Sequence, residues 1–234
     1  MRVSGHVPDG MKADEFVHAG ADEIQHIEYL LMNFFASAAA TTGLEAEEGA
    51  RLDVDSELVR HWIKSLKQKG IVIDPTMNVY EDKYGKAPGT SQRYYQTMVR
   101  MLKRLYDEGV PLVVGSDGPR SPGVSLQREM EIWVSAGIPP PKVFQAATIG
   151  AARVMHVDAE TGSIRVGKKA DLVLVDGDPT KNIADVRKCL IVIKRGTVYK
   201  SADLRACHST MESPRNRLQG LATASCLHGS RPGK

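Results

Sequence analysis

The sequence predicts an α/β fold with parallel strands, and three observations support this class. Short apolar runs such as "IVID" and "VPLVV" alternate with amphipathic helical segments in the first half of the chain. Repeats of strand, helix and strand are typical of parallel sheets with right-handed crossovers. His6 and His26 stand at the ends of two successive predicted strands. Both side chains are therefore expected at one edge of the sheet.

The elements before residue 71 can be assigned in order. "RVSGHV" predicts a strand, and the helix after it ends at Gly20. "DEIQHIEYL" predicts a strand followed by a loop, whereas residues 30–55 fit no single pattern. "DSELVRHWIKSLKQKG" predicts an amphipathic helix that Asp55 or Ser56 caps and Gly70 ends. Its predicted apolar face consists of Leu58, Trp62, Ile63 and Leu66.

The next stretch repeats the alternation. "IVIDPT" predicts a short buried strand. "SQRYYQTMVRMLKRLYDEG" predicts a helix with an apolar face and with Gly109 as its stop. That face consists of Met98, Met101, Leu102 and Leu105. The apolar run "VPLVV" then predicts another strand.

Beyond Asp117 the pattern changes character. "SLQREMEIWVSAG" and "PPKVFQAATIGAARVM" predict two helices, the second with Pro140 in its first turn. "GSIRVGKKADLVLVDGDP" and "CLIVIKRGTVYK" predict β-hairpins, with Arg195 and Gly196 at a turn. From about Ala206 onward the sequence is polar, basic and aperiodic, which predicts disorder.

Composition argues against several classes of protein. The 234 residues carry a net charge of +3 with charges nearly balanced, which does not suggest a nucleic-acid surface. The longest apolar run, "LLMNFFASAAA", is too short to span a membrane. No signal peptide is recognisable, which favours the cytoplasm by default and leaves open where the natural N-terminus lies. Three widely spaced cysteines predict neither a disulfide framework nor a zinc–cysteine cluster.

Asp117, in "VVGSDG", stands where a buried strand meets a turn. Three interpretations remain open from these residues alone. Asp is common in turns beside Gly and Pro, and it is a frequent N-cap of a following helix. A carboxylate at the C-terminal end of a parallel strand is also a candidate ligand or catalytic group, because α/β folds place their chemistry there.

Five segments occur in a specific order and spacing: "SGHVP", "ADEIQHIEYL", "VVGSDG", "EMEIWVSAGIPPPKVFQAATIGAARVM" and "GSIRVGKKADLVLVDGDP". In this order they resemble the amidohydrolase superfamily, in its imidazolonepropionase-like and prolidase-like branch. The resemblance implies a partial (β/α)8 TIM-like metallo-hydrolase barrel, strands five to eight, with the C-terminal part of a small β-sandwich. It divides the chain into a half barrel with its terminal helices (1–158), a sandwich segment (159–203) and a disordered tail (204–234).

The same resemblance assigns roles to single residues. It implies that His6, His26 and Asp117 bind a divalent metal, with Asp117 also acting as the catalytic proton acceptor. Two imidazoles and a carboxylate suit zinc, with iron or manganese as alternatives. Asn78 and Tyr80, after the predicted seventh strand, are expected to line a pocket for a small amide or peptide substrate.

The sequence also departs from the family pattern. A His-x-His pair and a bridging lysine, which the family carries on earlier strands, are absent. The chain therefore resembles a C-terminal half or fragment, and open barrel edges predict self-association. Two functions remain: a metal-dependent hydrolase of C–N bonds in amides, cyclic amides or dipeptides, and a non-catalytic remnant or assembly module that lacks half the metal site.

Overall fold

The computed structural model describes residues 2–36, 44–118 and 123–203, and it confirms the α/β class. Three short strands, β1 (Ser4–Gly5), β2 (Glu23–Gln25) and β3 (Val72–Asp74), form a parallel sheet in the order β1-β2-β3. The predicted strand over 110–114 joins this sheet only through a bridge between Ile73 and Leu112. All four segments run in one direction, so their carboxyl ends share one edge.

Helices connect and cover these strands. Within the described residues before 119 they are α1 (Ala13–His18), α2 (Ile27–Met32), α3 (Glu45–Arg51), α4 (Glu57–Lys69), α5 (Met77–Tyr80) and α6 (Thr90–Glu108). A π-helical turn, Glu81–Gly85, follows α5 directly. The prediction of a loop after β2 is wrong, because α2 begins there. Ile27, Leu30 and Leu31 are fully buried at helical spacing, so core packing stabilises a helix at this position.

Helix α4 begins and ends as predicted. Ser56 Oγ accepts a hydrogen bond from the Val59 N–H at 3.4 Å, and Gly70 ends the helix in the left-handed conformation. One member of the predicted apolar face is wrong: Leu58 is 71% exposed, whereas Val59 is fully buried. Val59 is the residue spaced at i+3, i+4 and i+7 from the other members of the face, Trp62, Ile63 and Leu66.

Helix α6 has the predicted buried face. Met98, Met101, Leu102 and Leu105 are all fully buried, and Gly109 is left-handed at the C-cap. These side chains join the main hydrophobic core beneath the parallel sheet, together with Ile24 and Ile73 from the strands themselves. The core thereby fixes the strands from which the candidate site extends.

The remaining described residues form helices and then a second sheet. The helices are α7 (Val124–Ser135), α8 (Pro140–Gln145) and α9 (Ala151–Val154), with a π-helical turn, Ala146–Gly150, between the last two. Strands β4 (Leu172–Val175), β5 (Cys189–Lys194) and β6 (Thr197–Lys200) form an antiparallel sheet, and a 3₁₀ helix, Ile183–Arg187, precedes β5.

The predicted turn at Arg195 and Gly196 is confirmed, since both residues have positive φ between β5 and β6. The predicted domain boundaries stay predictions. The predicted disordered tail, 204–234, lies outside the described residues. Among the described residues, no helix combines the length and apolarity that a membrane crossing requires.

Candidate metal centre at the carboxyl edge of the parallel sheet

The two predicted histidine ligands lie side by side. His6 directly follows β1, and His26 directly follows β2, so neighbouring parallel strands place both at the same edge. The Nε2 atoms of the two rings face each other at 2.7 Å, and the ring centroids are 4.4 Å apart at an interplanar angle of 74°. The structure therefore brings together the two histidines that the strand-end pattern singled out, and their role as metal ligands stays a prediction.

His26 is buried and fixed from behind. Its Nδ1 lies 2.7 Å from Thr76 Oγ1, at the end of the neighbouring strand β3. Burial lowers the pKa of His26, the neighbouring His6 lowers it further, and the Asp117 carboxylate opposes both. A neutral ring whose Nδ1–H donates to Thr76 presents the Nε2 lone pair toward His6, which is the form in which imidazole binds metals.

Asp117 approaches the histidine pair from the far side of β3. Its Oδ2 lies 3.8 Å from His26 Nε2, and its side chain is 60% exposed. Asp117 is not the N-cap of the next helix, because Gly123 occupies that position in α7. His26, Thr76 and Asp117 all have positive φ (69°, 46° and 40°), although none is a glycine. Such strained backbone persists where the surroundings fix it, and it is common at functional sites.

The donor set has the chemistry of a metal site. The two facing Nε2 atoms are 2.7 Å apart, which is the distance of a hydrogen bond from one ring to the other, and both are imidazole nitrogens of the type that binds zinc. The Asp117 carboxylate is the nearby third donor. Among the described residues, however, no three His, Cys, Asp or Glu side chains already form a group that could hold an ion. The three residues are of the type that binds a divalent metal and lie at the same edge of the sheet, and the three-ligand site stays a prediction.

Gly115, two residues before Asp117, lies so close to the Asp74 carboxylate that a side chain would not fit there. The Gly115 N–H donates to Asp74 Oδ1 at 3.0 Å, and a Cβ at Gly115 would lie 1.9 Å from Asp74 Oδ2. This contact fastens the segment before Asp117 to the end of β3. Burial, and next the charge of Glu23, raise the pKa of Asp74 to about 6, which two backbone N–H donors oppose.

A cavity of about 410 Å³ opens beside Asp117, and its lining includes Asn78, Val79 and Lys83. The Asn78 side chain Nδ2 donates to Ser116 O at 2.6 Å, so this residue also braces the backbone before Asp117. Tyr80 lies elsewhere in the site: its ring packs edge-on against His26 with centroids 6.2 Å apart.

Two residues of the site were not found from the sequence. Thr76 was hidden in a strand-end turn, and nothing local marks it as the partner of His26. Glu129, on α7, is fully buried and accepts hydrogen bonds from the backbone N–H groups of Met77 and Asn78. Its signal was available, because Glu129 shares the buried helix face of Ile132 and Trp133 at i+3 and i+4. A carboxylate on such a face needs buried partners.

Comparisons with known proteins identify the family and the fold. The sequence profile of the amidohydrolase family matches residues 1–199. Imidazolonepropionase of Brevibacillus brevis is 34% identical over 102 residues, which cover 41% of this chain and 24% of that protein. The 5-methylthioadenosine/S-adenosylhomocysteine deaminase of Thermoanaerobacter pseudethanolicus is 36% identical over 88 residues, covering 33% of this chain and 20% of that protein.

A solved structure shows the same fold. A Xaa-Pro dipeptidase with methionine bound in its active site superposes with a TM-score of 0.63 at 22% identity, covering 86% of this chain. At that identity the likeness concerns the fold alone. The match spans 45% of the dipeptidase chain and 24% of the imidazolonepropionase, so this chain corresponds to less than half of either protein.

Proposed function

Because the chain belongs to the amidohydrolase family, we propose that it forms part of a metal-dependent hydrolase of C–N bonds in amides, cyclic amides or dipeptides. The observation that carries this proposal is the convergence of His6 and His26 beside Asp117 at the carboxyl edge of the parallel sheet. The matches to an imidazolonepropionase and to a deaminase support the same class of reaction.

His6, His26 and Asp117 are the residues that would hold the ion. A divalent cation, zinc with iron or manganese as alternatives, supplies Lewis acidity and lowers the pKa of a water molecule to about 7. Thr76 orients His26, so that Nε2 is the ring nitrogen available to a ligand. Asp117, partly exposed beside the cavity, accepts the proton of the attacking water and donates it to the leaving nitrogen.

The substrate occupies the cavity beside Asp117 in this proposal. Asn78 lines it, and Tyr80 limits the space around His26 from the side of α5. Tyr29 is a second aromatic neighbour of the histidine pair, with its ring centroid 5.9 Å from that of His6 and 6.1 Å from that of His26. The lining of the cavity includes Asn78, Lys83 and Asp117, and such polar and charged groups suit the polar groups of a small amide or dipeptide.

The assignment of barrel strands is part of the proposal. β1, β2, β3 and the segment over 110–114 correspond to strands five to eight of a (β/α)8 barrel, and β4 to β6 correspond to part of the small sandwich. Among the described residues, β1 pairs only with β2, so its other edge has free backbone groups. Ile164, Val166 and Val173 are also largely exposed. Both features support self-association of the chain.

The first experiment loads the purified chain with Zn²⁺, Fe²⁺ or Mn²⁺ and measures bound metal, mass in solution and turnover. Dipeptides, N-acyl amino acids and cyclic amides serve as substrates. We expect His6→Ala and His26→Ala to reduce bound metal and turnover. His18→Ala is the matched control, because His18 is exposed on α1 and hydrogen bonds locally to Asp14 O.

The outcome separates the two functions. Metal-dependent turnover that both His variants abolish supports the hydrolase. Metal that binds equally well to wild type and both variants contradicts the site. The alternative, a non-catalytic assembly module, is favoured by the lack of a preformed three-ligand group among the described residues. It predicts self-association without turnover on any substrate.

A further inference from the structure

The buried carboxylate of Glu129 connects to both sides of the candidate metal centre. Glu129 is fully buried on α7 and accepts four hydrogen bonds at its two oxygens. Oε1 accepts from the Met77 N–H at 2.9 Å and from Trp133 Nε1 at 2.8 Å. Oε2 accepts from the Asn78 N–H at 2.7 Å and from Asn78 Nδ2 at 3.2 Å. Four donors make this an ordered network around one carboxylate.

The two backbone bonds fix the start of α5. Met77 and Asn78 are its first two residues, and the first N–H groups of a helix have no partners within the helix. Thr76 directly precedes them with φ of 46°, and its Oγ1 is the hydrogen-bond partner of His26. The Glu129 carboxylate thus holds Met77, the residue next to Thr76. Thr76 has a strained backbone, and its side chain orients His26.

The second connection passes through the Asn78 side chain. Its Nδ2 donates to Ser116 O at 2.6 Å and also to Glu129 Oε2. Ser116 directly precedes Asp117, whose φ is 40°. The same carboxylate therefore braces a second strained position, the one that sets the place of the Asp117 carboxylate. Strained backbone of this kind persists only where neighbouring contacts determine it.

We propose that Glu129 is a positioning residue of the metal centre, which acts through Met77 and Asn78 to hold the backbone at Thr76 and Asp117 together. This inference rests on the proposed function for its catalytic consequence, but its structural part is independent of any turnover. Glu129 touches neither His6, His26 nor Asp117. Its role is to fix the separation between the oriented imidazole and the carboxylate.

The decisive variant is Glu129→Gln. A glutamine has one acceptor oxygen and one NH₂ group, so whichever way it lies, N–H donors face its NH₂. The matched control is Trp133→Phe, which removes one donor to the same carboxylate but leaves the bonds to Met77 and Asn78. Asn78→Ala is the third variant, because it cuts the connection to Ser116 while Glu129 keeps its backbone partners.

Three measurements are made on each variant: amide hydrogen exchange, Zn²⁺ affinity by competition with a chromophoric chelator, and turnover where the wild type has any. In Glu129→Gln we expect exchange at residues 77–78 and 116–117 to accelerate at least ~10-fold, and Zn²⁺ affinity to fall ~10-fold, as for other supporting contacts. In Trp133→Phe, exchange at 116–117 and Zn²⁺ affinity stay at wild-type values. In Asn78→Ala, exchange accelerates at 116–117 but not at the Met77 amide.

The proposal is overturned if amide exchange at 116–117 in Glu129→Gln stays at the wild-type rate. It is also overturned if Trp133→Phe changes that exchange and the Zn²⁺ affinity as much as Glu129→Gln does. If Glu129→Gln does not fold, Asn78→Ala tests the proposal instead. Faster exchange at 116–117 with an unchanged Met77 amide supports it, and unchanged exchange at 116–117 overturns it. A wild type without turnover on any substrate contradicts the proposed function, yet exchange and Zn²⁺ affinity still test Glu129. With turnover, we expect Glu129→Gln to lower kcat more than it changes KM, because positioning acts on the transition state.

Discussion

The parallel sheet and the antiparallel sheet differ in how their residues are held. In the parallel sheet, Ile24 of β2 and Ile73 of β3 are fully buried and belong to the main hydrophobic core. In the antiparallel sheet, Val173 and Leu174 are 62% and 55% exposed. Its hairpin is held mainly by adjacent strands, as where the Arg195 N–H donates to Asp171 at 2.8 Å.

The strained backbone shows the same contrast. Arg195 has a positive φ, but the next residue is Gly196 and the two form a local turn. Thr76 and Asp117 are also left-handed, yet their supports come from Glu129 and Asn78, and the bond from Thr76 to His26 joins residues 50 positions apart. The site is therefore sensitive to substitutions at residues that are far from it in sequence. The turn at Arg195 combines a local two-residue conformation with a hydrogen bond to Asp171 from the neighbouring strand.

The largest expected effect is a loss of turnover when Asp117, at the edge of the parallel sheet, is substituted. Asp117→Asn should lower turnover of the metal-loaded protein at least ~10²-fold, since it removes the proton acceptor. The unfolding free energy should change little, because the side chain is 60% exposed and Asn tolerates positive φ. Initial rates measure the effect, with Asp171→Asn in the antiparallel sheet as control. Equal turnover of Asp117→Asn and wild type contradicts the assigned role.

The second prediction concerns the support behind His26. Thr76→Val removes the hydroxyl that bonds to Nδ1 at similar volume, and Zn²⁺ affinity should fall ~10- to 100-fold. Thr97→Val is the control: Thr97 is also buried, but its hydroxyl donates to Arg93 O within α6. Chelator competition measures both. If the two variants bind Zn²⁺ equally well, Thr76 does not orient the ligand.

The third prediction compares one glycine from each region. Gly115→Ala should destabilise the fold by about 1–3 kcal/mol, because its Cβ would overlap the buried Asp74 carboxylate. Gly196→Ala should cost about 1 kcal/mol through its positive φ, since nothing lies within 4 Å of the added atom. Urea unfolding measures both values, and Zn²⁺ affinity should fall only in Gly115→Ala. The prediction is contradicted if Gly196→Ala lowers the free energy of unfolding more than Gly115→Ala does.

The fourth prediction is a pH dependence of opposite sign in the two regions. Burial raises the pKa of Glu129 to about 7 from its usual 4.5, so the native state binds more protons between these values. Glu129 therefore makes the protein less stable as pH rises from 4.5 to 7, by up to about 1.4 kcal/mol per pH unit. The stability difference between wild type and Glu129→Gln should shrink over this range in urea unfolding. A constant difference contradicts the raised pKa.

Asp171 provides the contrast in the antiparallel sheet. Hydrogen bonds from the Arg195 N–H and from Lys194 lower its pKa below the usual 3.8. Its stabilising effect is therefore complete above pH 4 and is lost as pH falls below that value. The stability difference between wild type and Asp171→Asn should stay constant from pH 5 to 7 and shrink only in acid.

Much of this protein could be predicted from local sequence patterns. Helices α4 and α6 follow from apolar periodicity and glycine stops, and the turn at Arg195 follows from a two-residue signal. Each of these features depends on residues within a few positions of one another. The strand-end positions of His6 and His26 were also readable from the sequence, because parallel strands end at one edge. The role of these residues and of Asp117 as metal ligands stays a prediction.

Only the tertiary structure decided the rest. The sequence predicts a loop where α2 lies, because the stability of this helix comes from burial of Ile27, Leu30 and Leu31 in the core rather than from a local signal. Thr76 and Glu129 were missed because their partners lie 50 and 51 positions away along the chain. Local periodicity determines which face of an element is apolar. It does not determine which distant polar group a buried side chain meets, because that depends on how the packed elements lie against each other.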